Sequence, residues 1–401
     1  MSRLVESCIV KSEDFLDLLR LLALDYALET KDVKKIMYVG SQKSVAESLL
    51  QLCKRRNLAF NWKKVPLQNR DSLLRKMWNQ LPNAIRSLIW LLRYLFQHWS
   101  LRGLKKPIWF EGSKAVFVFS YFAHIDKDSC ESGSFYSRQW EVFPELLRSM
   151  GKFMNWTHLF LFSKTVPDIH TGISWLKSFN RNSEEQGSHV FLDTFLDFRL
   201  IIKVLSDWAR IQFLHLQLGR KIENSLESQR YGWLWPILKK DWYDSMTGVT
   251  GMNNILLIHL FDRLLSDIPH QEQGYYLSEN QSWERAFVNA WRKHSHGRII
   301  AVAHSTIRYW DLRYYDGSMT SIIPDLPKPD VLAVNGSAAL LNLQKAGYPM
   351  EQCVRVEALR YLYLNVFKNN NGFDICECHA VNRNYTNMVS LFTEAISTQM
   401  P

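Results

Sequence analysis

The sequence predicts an α/β protein built on a parallel, doubly wound sheet of the Rossmann type, and three observations carry that expectation. Short apolar runs of strand length alternate with amphipathic stretches of helix length along most of the chain. Strand–helix–strand spacing implies parallel pairs joined by crossovers. The strand-like runs near 275, 300, 332 and 355 end in Glu279, His304, Asn335 and Glu357. In an open parallel sheet, ligands bind at the carboxyl ends of strands, so polar residues at four successive ends point to a site.

The elements follow in order. Two helical stretches open the chain, and "KKIMYVGSQKSVAESLLQLCKRRN" (34–57) reads as strand, polar turn and helix. Ile36 to Val39 form the strand, and Val45, Leu49, Leu50 and Cys53 form the apolar stripe. The turn has one glycine, which supports the fold class and not a phosphate fingerprint. Residues 71–107 are helical and basic. Within them "SLIWLLRYLFQHW" (87–99) places Leu88, Leu91, Leu92, Leu95 and Phe96 on one broad face. That face fits a buried core helix or a helix lying on an anionic membrane surface.

"KAVFVFSYFAHID" (114–126) is a strand ending in His124 and Asp126. A polar loop, a helix at about 139–151 and the strand "THLFLF" (157–162) follow. Residues 194–230 form a long helix, and within "DWYDSMTGVTGMNNILLIHLFDRLL" (241–265) Gly248 and Gly251 sit at the start of an apolar helix, placed for close approach to a ligand or to a neighbouring helix. "GYYLSEN" (274–280) is a strand, and "SENQ" matches a capping box with Ser278 as N-cap and Gln281 at N3. Trp283, Phe287, Ala290 and Trp291 share one face of the next helix. "HGRIIAVAH" (296–304), "KPDVLAVNG" (328–336) and "CVRVEALRYLYL" (353–364) are the remaining strands.

Composition bounds the function. With 47% hydrophobic and 22% charged residues among 401, the chain folds around a substantial core. The net charge of +10 suits phosphate-bearing partners. Zinc-finger spacing, aromatic RNP signatures and basic tails are absent, so a nucleic-acid partner is not expected. The six cysteines are scattered, and "CECH" (376–379) lacks a second ligand pair at zinc spacing, so no structural metal is expected. No run reaches the roughly 18–20 apolar residues of a spanning helix. G-x-S-x-G, P-loop, dinucleotide and H-E-x-x-H motifs are missing, which disfavours serine hydrolases, P-loop kinases, dehydrogenases and zinc peptidases. Group transfer from an activated sugar stays open, because it needs little more than one base and groups that stabilise phosphate.

Candidate catalytic residues are Glu279 and His304. Glu279 is either a general base, or a ligand for a sugar hydroxyl, or only a favourable charge at a helix start. His304 closes an apolar strand, where it can donate a proton, hold a phosphate or serve as a satisfied structural histidine. Candidate binding residues are His124, Arg308, Asp311, Arg313, Asn335 and Glu357. "AHSTIRYWDLRYY" (303–315) sets Arg308 and Arg313 on either side of Asp311, a pattern for anion recognition or for an Arg–Asp pair fixing the loop. Asn335–Gly336 brings backbone close to a ligand or forms a turn.

The blocks "YLSENQSWERAFVNAWRKHSHGRIIAVAHSTIRYWDLRYY", "PKPDVLAVNG", "GYP" and "VEALRYLYL" resemble bacterial surface-carbohydrate (O-antigen type) biosynthesis proteins. "SYFAHID", "NWTHLF" and "DWYDSMTG" add to the likeness, which covers the chain from about 115 onward. The resemblance implies a GT-B-like glycosyltransferase acting on lipopolysaccharide or a related glycan. Residues 1–365 would be its acceptor-side Rossmann-like domain, with helical insertions at about 60–110 and 190–265. Residues 366–401 would be only the start of the donor-side domain, leaving the second Rossmann domain incomplete. Glu279, His304 and Asn335 would face the interdomain cleft. The donor would be a nucleotide-sugar, CMP-linked by likeness to transferases of acidic sugars, with no further cofactor. The expected setting is cytoplasmic, with peripheral contact at the inner membrane. A non-catalytic glycan-binding or scaffold protein of polysaccharide assembly is the rival expectation, and the oligomeric state is left open.

Overall fold

The computed structural model describes residues 13–66, 73–123, 125–182, 187–279, 281–303, 307 and 327–356. Its centre is a sheet of seven strands: β3 (Ala115–Tyr121), β4 (Phe153–Leu159), β5 (Gly187–Phe191), β6 (Gln273–Leu277), β7 (Arg298–Val302), β8 (Val331–Asn335) and β9 (Cys353–Val356). They lie in the order β5-β4-β3-β6-β7-β8-β9, and every neighbouring pair is parallel. The chain steps outward from β3 on one side and outward from β6 on the other. The direction of winding therefore reverses between β3 and β6, as in a Rossmann-type sheet.

A second sheet of two parallel strands, β1 (Lys35–Gly40) and β2 (Ala59–Lys64), stands apart. Helix α1 (Glu13–Thr30) and helix α2 (Lys43–Arg55) complete this unit. Leu21, Val45, Leu49 and Leu52 pack with Trp233, Leu234 and Ile237 from later in the chain. The strand–turn–helix reading of 34–57 holds, with one correction: Leu50 points outward, and Ala46 and Leu52 join Val45, Leu49 and Cys53 in the buried stripe.

The remaining helices are α3 (Leu73–Gln80), α4 (Asn83–His98), α5 (Lys127–Glu131), α6 (Phe143–Ser149), α7 (Ile169–Asn182), α8 (Phe198–Glu227), α9 (Trp235–Thr247), α10 (Val249–Asp267), α11 (Ser282–Lys293) and α12 (Ser337–Lys345). The apolar helix expected to start at Gly248 and Gly251 does so: Gly248 ends α9 and N-caps α10. A Cβ on Gly248 would lie 2.8 Å from the Asp244 Cα, and one on Gly251 would lie 2.8 Å from the Ser245 carbonyl oxygen. These glycines serve the tight passage between helices. Helix α10 is buried from Met252 to Leu265 on several sides and is the core helix of the crossover from β5 to β6.

β3 shows why the sheet sits where it does. All seven of its residues are buried, as a strand covered on both faces requires. Side chains alternate between faces. Phe117 stacks on Phe287 and meets Trp291, while Phe119 meets Phe261 and Trp283. Ser120, on the opposite face, accepts a hydrogen bond from the buried Trp140 indole at 3.0 Å. Burying each such aromatic contributes about 1.5–3 kcal/mol. Strand boundaries shift from expectation: β3 ends at Tyr121, β4 begins four residues earlier than 157, and β6 stops at Leu277.

Candidate functional site

Because all seven strands run the same way, their carboxyl ends share one edge of the sheet. At the reversal between β3 and β6 neighbouring connections leave to opposite faces, the place at which open parallel sheets bind ligands. The residues there are Tyr121 at the end of β3 and Ser278–Glu279 just beyond β6.

Tyr121 occupies the same face as Phe117 and Phe119, one step further toward the carboxyl edge. That position sets its ring against the first turn of α11, edge-on to Trp283. The Trp283 indole N–H donates to the Tyr121 hydroxyl at 2.9 Å. The hydroxyl is also hydrogen-bonded to the Glu279 side chain. With the indole donating to its oxygen, the phenol proton is directed toward that carboxylate. Burial first, and then the Glu279 and Glu284 carboxylates, push the phenol well above its ordinary range, so Tyr121 stays protonated as a fixed donor.

Glu284 holds this arrangement in place. Its Oε1 accepts the backbone N–H of Glu279 at 2.8 Å and of Gln281 at 2.7 Å, and the residue is buried. The capping box is therefore Gln281 with Glu284 at N3, three residues later than the Ser278–Gln281 pair expected from "SENQ". Ser278 instead continues the ladder, its N–H donating to the Val302 carbonyl at 2.8 Å. The sequence carried the correct signal, since "QSWE" has the same four-residue spacing, but the overlapping match hid it.

Asn335 ends β8, and parallel strands at about 4.8 Å spacing put it roughly 10 Å along the edge from Glu279, across β7. Gly336 has φ +96 and caps α12, so the pair forms the turn into that helix. His124, His304, Arg308, Asp311, Arg313 and Glu357 lie outside the described residues. Asp126 caps the short α5 through the Ser129 N–H at 3.1 Å and pairs with Arg138 at 3.1 Å. Those bonds, the backbone one first, hold its carboxyl below the usual carboxylate range.

Three other buried polar clusters have structural roles. At the amino edge, Asn155 Nδ2 donates to the Phe110 carbonyl at 2.7 Å and to Gln271 Oε1 at 2.8 Å, tying the strap before β3 to the sheet. Between β4 and β5, His158 Nε2 and His189 Nδ1 are 3.0 Å apart and both rings are buried. Near the carboxyl end of β5, the fully buried Asp193 is bonded by the Tyr94 hydroxyl and lies 3.1 Å from His98 Nδ1. Tyr94 and His98 stack one helical turn apart on α4. Among the described residues, no group of three or more His, Cys, Asp or Glu side chains is placed to hold a metal ion.

The structure is that of a parallel α/β protein in which Tyr121, Glu279 and Glu284 meet at the point of strand reversal. Comparison with protein-family models, with curated proteins and with solved structures returned no match.

Proposed function

We propose that the chain serves glycosyl transfer from a nucleotide-activated sugar to a bacterial surface polysaccharide or lipid-linked glycan, with its reacting groups at the carboxyl ends of β3 and β6. The observation that carries this reading is the Trp283–Tyr121–Glu279 chain of hydrogen bonds at the strand reversal. Glu279 is the base: it takes the proton of an acceptor hydroxyl as that oxygen bonds to the anomeric carbon and the bond to the nucleotide phosphate breaks. Tyr121 donates to the carboxylate and orients it, and Glu284 fixes the backbone that presents it. In this proposal Arg308 and Arg313 offset charge on the donor or on an acidic sugar, as the resemblance implies. The motifs from 274 to 364 support the choice of reaction class, and the strand order supports the place.

Calorimetry with CMP-, UDP-, GDP- and dTDP-linked sugars, followed by a nucleotide-release assay with a glycan acceptor, tests the proposal. Binding of one nucleotide class and release that Glu279→Gln slows about 10²-fold or more is the expected result. Glycan binding with no nucleotide signal would replace transfer with the scaffold reading.

A further inference from the structure

Helix α4 was expected to place Leu88, Leu91, Leu92, Leu95 and Phe96 on one face, and the structure splits that face. Leu91 is buried and Leu88 and Leu95 are packed against the core, but Leu92 is 67% exposed and Phe96 90% exposed. Ile85 and Ile89 are exposed as well, so 85, 89, 92 and 96 form one outward stripe at i, i+4, i+7 and i+11 spacing. Helix α8 repeats the pattern. Phe198, Ile202, Leu205, Phe213 and Leu216 are all exposed, and their spacing aligns them along about 27 Å of one face. The two helices lie side by side and antiparallel: Trp208 donates to Ser87 at 3.1 Å, and Trp99 meets Phe198 at 5.1 Å. Phe96 and Phe198 converge on an apolar groove with Leu95, Trp99 and Ile201.

The α4 side of this face is basic. Residues 83–110 contain Arg86, Arg93, Arg102, Lys105 and Lys106 and no Asp or Glu. The Arg102 guanidinium lies over the Trp99 ring at 4.3 Å and the Phe198 ring at 5.4 Å, at the lip of the groove. Arg199 and Lys203, exposed on the first turns of α8, extend the basic rim. A second copy of the chain docked here would set like charges against each other, which disfavours self-association. Exposed Phe, Leu and Ile with a tryptophan and a basic rim suit an interface that is apolar below and anionic at the surface.

We infer that the α4–α8 face is a peripheral docking surface for a lipid bilayer bearing anionic headgroups. Phe96, Leu92 and Phe198 enter the acyl boundary, and Arg93, Arg102, Lys105, Arg199 and Lys203 meet the phosphates. Helix α8 leaves the carboxyl end of β5 through a single turn, so the docking face reaches the same edge of the sheet as Tyr121 and Glu279. A lipid-linked acceptor would be presented at that edge. This consequence rests on the glycosyl-transfer reading, whereas the docking does not.

Sedimentation of the full chain with phosphatidylcholine vesicles, with and without one third phosphatidylglycerol, tests the inference. We expect binding to the anionic vesicles about 10-fold or more tighter than to the neutral ones, weakening as salt rises. Leu92→Ser with Phe96→Ser should reduce it about 10-fold or more while the urea midpoint stays unchanged, because both side chains are exposed. Arg102→Gln with Lys105→Gln should erase the preference for the anionic lipid. No binding, equal binding to both vesicles, or undiminished binding by the Leu92/Phe96 variant would overturn the inference. A wild-type dimer in ultracentrifugation that this variant dissociates, without vesicle binding, would assign the face to a second copy instead.

Discussion

The His158–His189 pair makes the structure measurably dependent on pH. The rings are stacked at 6°, enclosed by Trp156, Phe135, Phe122 and Phe179, and within hydrogen-bonding distance of each other. Burial, together with the neighbouring His189, drives His158 well below the usual histidine range, and burial drives His189 down to about 3. Both are therefore neutral in the native state at pH 5, while in the unfolded chain each protonates below its ordinary value of about 6.5. The unfolded state binds more protons throughout that window, so stability falls as pH drops from 6.5 toward 3. Between pH 7 and pH 5 the loss is about 2 kcal/mol for each histidine, and about 4 kcal/mol for the pair. Urea unfolding at fixed pH values reads this directly. The double variant His158→Phe/His189→Leu should lose about 4 kcal/mol less than the wild type over that interval. Asp126, Asp168 and Glu223 are also held low, but they titrate below this window and remain in both proteins. Identical pH slopes in the two proteins would refute the reasoning.

Other outcomes follow from single contacts. Glu284→Ala strands the backbone N–H groups of Glu279 and Gln281 and should cost about 2 kcal/mol in urea unfolding, with a larger proportional loss of transfer activity. Gly251→Ala places a Cβ 2.8 Å from the Ser245 carbonyl oxygen and 3.1 Å from that of Met246. It should destabilise by about 1–3 kcal/mol without altering ligand affinity, a result read from thermal melts and calorimetry together. Tyr121→Phe removes the donor to Glu279 but keeps the ring on Trp283. It should lower turnover more than substrate affinity, a split seen in kcat against KM.

The parallel sheet was legible because its strands are short apolar runs separated by helical patterns, and β3, β6, β7 and β8 were found close to their expected places. β2 and β5 were missed. "AFNWKK" is rich in polar and basic residues, and "GSHVF" gains its burial from tertiary packing of His189 that no local pattern encodes. Of the four polar strand ends read from the sequence, Glu279 and Asn335 lie at the carboxyl edge of the sheet, and His304 and Glu357 fall outside the described residues. The strand ends did not reveal the reversal between β3 and β6, because strand order is a property of long-range pairing. Tyr121 was hidden for a related reason: inside "VFVFSYF" it looks like another core aromatic, and only its place as the last residue of β3 turns its hydroxyl toward Glu279. The split face of α4 could not be seen in its own periodicity, since Leu91 and Leu92 differ only in what lies opposite them.

The central claim is that ligand chemistry occurs where β3 and β6 diverge. Amide hydrogen exchange with and without a saturating nucleotide-sugar tests it most directly. Protection concentrated in residues 116–126 and 274–284 is the predicted result. Binding that leaves those two segments unchanged, with protection elsewhere on the chain, would contradict it.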